Sequence, residues 1–178
     1  MVPTGDEASR MPSTPERFVA YRWRDPVVES LGFPVQHLYT ETILLPVLGP
    51  SATWCLRRLG AWATACPDGV EVDSAQLASD LGLGAQLAKN SKITRTLDRL
   101  SKFDMVSWNS GDLAVRTHVA PVPERQLVRL SPALQRLHQS MVEEAERSRA
   151  LPASSFPGSP SASTSARHGT SVDLGVSV

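Results

Sequence analysis

Between residues 49 and 120 the apolar positions of the chain change period several times, and each change marks an element. In "GPSATWCLRRLGAWATAC" the residues Cys55, Leu56, Leu59, Trp62 and Ala63 recur at helical spacing behind Ser51, which reads as the N-cap. Pro67 and the Asp68-Gly69 pair close that helix, and Val70, Glu71 and Val72 alternate as a very short strand. Asp73 with Gln76 three residues on forms a capping-box signal for a second helix, whose inner face is Leu77, Ala78 and Leu81. Gly82 and Gly84 supply the turn that ends it. A third helix, over about 91–103, sets Ile93, Leu97 and Leu100 on one face. Lys92, Arg95, Arg99 and Lys102 fall on another face, well over 90° away. The period then shortens. Met105, Val106 and Trp108, followed by Leu113, Val115 and Thr117, flank a Ser110-Gly111 turn, which predicts a hairpin over 106–117.

Helix, short strand, helix, turn, helix, hairpin is the order of a winged helix-turn-helix domain, so the expected fold is mainly α with one small β-hairpin. The domain is placed at 49–120, after a disordered arm at 1–17 and a lead-in at 18–48 that packs on it, with one short helix around Pro34–Leu45. Residues 121–150 read as a C-terminal helical arm, restarted at Ser131 and Pro132, and 151–178 as a disordered Ser/Pro/Gly/Ala tail. Leu127, Leu130, Leu134, Leu137 and Met141 stand at heptad spacing. Two readings of that arm stay open: it packs on its own domain, or it pairs with a second copy as a homodimer.

The runs "LGPSATWCLRRLGAWA", "LASDLGLG", "SKITRTLDRLSKFDMVSW", "LAVR" and "RQLVRLSPALQRLH", taken in that order, resemble a group of uncharacterised winged-helix proteins of actinobacteria. The likeness covers roughly residues 37–140. It implies a winged-helix fold and an actinobacterial source, and it implies no biochemical activity.

Charge alters this picture locally. The chain carries 18 Lys and Arg against 18 Asp and Glu, a net of zero, so the whole molecule does not advertise a polyanionic partner. Residues 89–102, however, hold Lys89, Lys92, Arg95, Arg99 and Lys102 against Asp98 alone, a local +4. Cys55 and Cys66, on one helix, would lie about 16 Å apart, beyond bridging distance, so both read as free thiols in a reducing compartment. No secretory segment and no bilayer-length apolar run is legible, which points to a cytoplasmic protein. There is no P-loop, dinucleotide fingerprint, nucleophile elbow or paired-His metal signature, so neither an enzyme, a cofactor nor a metal is expected. Trp23, Phe33 and Tyr39 in the lead-in leave ligand sensing open, though aromatic residues are more often core.

The functional expectation is a protein that binds double-stranded DNA in transcriptional control, with the third helix in the major groove. Asn90, Ser91, Lys92, Thr94 and Arg95 are then nearest base edges, where Asn pairs with adenine and Arg or Lys with guanine. Arg99 and Lys102 lie nearer phosphate, as do Ser74 and Gln76 at the start of the preceding helix, and Arg116 in the hairpin faces backbone or minor groove. The competing expectation is an adaptor that binds another protein. A basic face opposite an apolar one is also the ordinary solvated side of a helix, Asp98 can pair with Lys102, and the "NSGD" loop is acidic.

Overall fold

The computed structural model describes residues 14–150. Strand β1 (Arg17–Trp23) leads into α1 (Pro26–Leu31), β2 (Phe33–Pro34), a π-helical turn at Thr40–Leu44 and α2 (Leu45–Leu48). The central elements are α3 (Pro50–Ala65), β3 (Val70–Asp73), α4 (Ser74–Asp80), α5 (Lys92–Lys102), β4 (Val106–Asn109) and β5 (Asp112–Arg116). Then come β6 (His118–Val119), α6 (Glu124–Leu127) and α7 (Pro132–Ala150).

The sheet corrects the expected fold class. The chain is not a mainly α domain with one hairpin. It is a small α/β fold, with a four-stranded sheet in the order β3-β1-β5-β4 and a second, two-stranded sheet of β2 and β6. β1 lies between β3 and β5, antiparallel to the first and parallel to the second, in register Ala20↔Leu113 through Trp23↔Arg116. The hairpin β4–β5 is therefore no projecting wing. It is half of a mixed sheet, and Asp112 Oδ1 near its turn accepts the Val19 amide at 3.0 Å. Ser110 and Gly111 both have positive φ, 52° and 96°, the geometry a two-residue hairpin turn requires.

β1 forms because "RFVAYRW" alternates, burying Phe18 and Ala20 in the core. This also moves the boundary of the arm. The Ser74 amide donates to Glu16 O and the Ser74 hydroxyl to Pro15 O, so residues 14–17, expected to be disordered, belong to the fold. Residues 1–13 of that arm and the tail at 151–178 lie outside the described residues.

The lead-in is core rather than cover. Phe33 and Tyr39 stack at 4.1 Å between centroids, and Tyr39, Ile43 and Leu48 are fully buried, so the aromatic residues considered for ligand sensing pack the interior or, like Trp23, an arginine. The helix expected around Pro34–Leu45 starts later, at Leu38, and runs on into the π-helical turn. α3 begins one residue ahead of its expected cap, with Gly49 as N-cap and Pro50 at the first position. Its Gly60 lets Val35 approach where any β-carbon would collide with the Val35 methyl. In the C-terminal arm Leu127, Leu130, Leu134 and Met141 pack against the core, while Leu137 stays 40% exposed. The heptad positions thus mostly face the arm's own domain. Cys55 is buried and Cys66 exposed, both free, and burial pushes the Cys55 thiol up to about 12.

Candidate nucleic-acid interface

α5 is held by its apolar face. Ile93, Leu97 and Leu100 are buried in the same core as Leu56 and Leu59 of α3. Each such side chain contributes about 2 kcal/mol, several times what an exposed ion pair supplies. The hydrophobic stripe therefore fixes the rotation of the helix, and the basic residues go where it leaves them. Ser91 caps the start, its Oγ accepting the Thr94 amide at 3.2 Å. Beyond the other end Asp104 takes φ 56°, and the Met105 amide closes back onto Leu100 O at 2.9 Å.

With that rotation Lys92, Arg95, Arg99 and Lys102 line a groove of about 690 Å³ between α5 and the start of α3, where Gly49, Pro50 and Ser51 form the opposite wall. Asp98 is the one acidic residue lining it, four cations against one, net +3. Lys92, Arg95 and Lys102 are exposed and make no ion pair among the described residues; the expected Asp98–Lys102 bridge does not form. Arg99 is partly occupied: it donates to Val47 O at 2.8 Å and lies over the Phe103 ring. Asn90 is exposed at the head of the helix.

The other expected contact residues separate from this group. Thr94 is 5% exposed and hydrogen-bonds Thr14 and Ser91, and the Ser91 hydroxyl is occupied as the cap. Ser74 is completely buried, its hydroxyl given to Pro15 O at 2.6 Å, so it meets no phosphate. Gln76 is exposed on the seven-residue α4, its amide nitrogen bound to Asp80 Oδ1 at 2.7 Å. Arg116 is held inside the fold. It pairs with Asp25 at 2.5 Å, donates to Asp104 O at 2.6 Å and stacks over Trp23 at 4.1 Å. The hydrogen bond from Arg116 in turn holds the Asp25 carboxyl below its usual pKa.

Sequence reasoning missed the opposite wall. "LGPS" was legible as a helix start, but nothing local indicates that this start faces α5. Among the described residues no cluster of His, Cys, Asp or Glu has the makings of a metal site, and no helix is long and apolar enough to cross a membrane. No family model, curated protein or solved structure matches the chain, so the resemblance given above rests on the quoted runs alone.

Proposed function

We propose that the protein binds double-stranded DNA along the exposed edge of α5, with Lys92, Arg95 and Lys102 as the principal contacts and Asn90 and Arg99 beside them. The observation that carries this reading is the groove at net +3, with three exposed cations lacking ion-pair partners among the described residues, on a chain of zero net charge. Phosphate oxygens are contacted chiefly by Arg and Lys side chains that can reach them, and these three stand together on one helix edge facing one groove. The reading is of a binding protein and not an enzyme. A cytoplasmic location and a role in transcriptional control go with it. Arg116, Ser74 and Thr94 are not part of the proposed contact set, because their side chains are buried or mostly buried and engaged by partners inside the fold.

The test is a titration of the full chain against a fluorescent duplex at several salt concentrations. Neutralising about four phosphates gives a log–log salt slope near −3.6. Lys92→Ala with Arg95→Ala is expected to lower affinity at least tenfold at low salt and to flatten the slope by about 2. A folded wild-type protein that binds no duplex even at low salt refutes the proposal and turns attention to a protein partner.

A further inference from the structure

The basic groove does not stop at the first turn of α3. Pro50 and Ser51 also line a second cleft, of about 560 Å³, along the outer face of that helix. Its walls are of different chemistry. Trp54 and Trp62 give it aromatic surface, with the Arg57 guanidinium 5.5 Å from the Trp54 centroid and that of Arg58 5.7 Å from Trp62. Both arginines already have partners: Arg57 pairs with Glu41 at 2.7 Å, and Arg58 with Asp80 at 3.0 Å. The cleft is therefore not a second phosphate track. What it offers is ring surface, because Trp54 is 50% exposed while its neighbours Cys55 and Leu56 are fully buried. Ser51, Trp54 and Arg58, spaced by three and four residues, share one helix face about 10 Å long.

We propose that this cleft takes an unpaired nucleobase: a single strand leaving the duplex held at α5 crosses Pro50 and Ser51 and stacks a base on Trp54. The inference rests on the DNA reading above and narrows it to DNA with a single-stranded end or junction. The charge division supports it. Net positive potential lies over the groove, where a sugar-phosphate backbone runs, and aromatic surface lies beyond it, where bases freed from pairing find a partner. Every base presents a π face, so the preference is for strand structure and not for sequence.

The experiment compares a blunt duplex with the same duplex carrying a short oligothymidine overhang, at the 3′ or the 5′ end, using the full chain. Wild type is expected to bind one overhang polarity about tenfold more tightly than the blunt duplex. Trp54→Ala is expected to remove that gain and to keep blunt-duplex affinity within about twofold. Trp54→Phe should retain an intermediate gain, which a folding defect would not produce. Equal wild-type binding to blunt and overhung DNA overturns the inference alone, as does a gain that survives Trp54→Ala. No binding to either probe overturns the DNA reading as well.

Discussion

Arg116 and Arg95 share a side chain and are both expected to contact DNA, Arg95 at base edges and Arg116 at backbone or minor groove, and the fold separates them completely. The Arg116 side chain is 15% exposed, with Asp25, the Asp104 carbonyl and the Trp23 ring arranged around its guanidinium. Arg95 stands exposed on α5, with no ion pair among the described residues. A guanidinium carries five donors in a fixed fork, and what it does depends on how many are already filled. Filled from within, it joins parts of the chain: Arg116 ties β5 to the start of α1 and to the end of α5. Left open, it remains available to an outside anion.

The sharpest way to break this contrast is to remove Arg116. Arg116→Ala takes away an ion pair, a backbone hydrogen bond and a ring contact together, and leaves Asp25 Oδ2 and the Asp104 carbonyl without their donor. The expected result is a fall in the thermal midpoint of roughly 5–10 °C, followed by circular dichroism. Duplex affinity of the still-folded variant should stay at the wild-type value. The reverse pattern, full stability with weakened DNA binding, would return Arg116 to the interface.

How far the sequence carries differs between these two places for a physical reason. α5 is legible because its information is local: Ser91 caps it, and Ile93, Leu97 and Leu100 orient it within three turns. The Arg116 corner is not, because its partner Asp25 lies 91 positions earlier. β1 fails for the same reason at larger scale. The alternation of "RFVAYRW" is visible, but its insertion between β3 and β5 depends on parallel pairing with Leu113–Arg116, a contact no local pattern encodes. Without it, the hairpin reads as a free wing and the domain as mainly helical. Ser74 and Thr94 look like solvent-facing polar residues until Pro15 and Thr14 arrive from the other end of the chain. The heptad leucines at 127, 130 and 134 show a genuine apolar stripe whose spacing alone does not say which surface covers it.

The corner can also be strengthened without touching the open edge. Asp104 holds a left-handed conformation, φ 56°, directly after α5, where a β-carbon is strained. Its contribution to Arg116 is made by the backbone carbonyl, which glycine keeps. Asp104→Gly is expected to raise stability by about 0.5–1 kcal/mol in urea unfolding, with duplex affinity unchanged. A loss of stability would mean that the carboxylate has a role of its own at this corner.

The smallest effect uses pH to separate a second interior contact from the open edge of α5. Tyr39 Oη accepts the Val122 amide at 2.8 Å and shares a hydrogen bond with His138 Nδ1, also at 2.8 Å. Burial lowers the His138 pKa in the folded protein relative to the unfolded chain. The folded state therefore binds this proton less readily. The stabilisation is fully present above the unfolded value of about 6.5, and it is lost as pH falls from there through the lower folded pKa. Wild type should lose a few degrees of thermal midpoint between about pH 7.5 and pH 5 relative to His138→Gln, whose side-chain amide gains no proton in this range. Identical pH profiles in the two proteins would remove His138 as the source. A protein still folded near pH 5 should bind duplex DNA with an unchanged salt slope, although the docking of α7 has weakened.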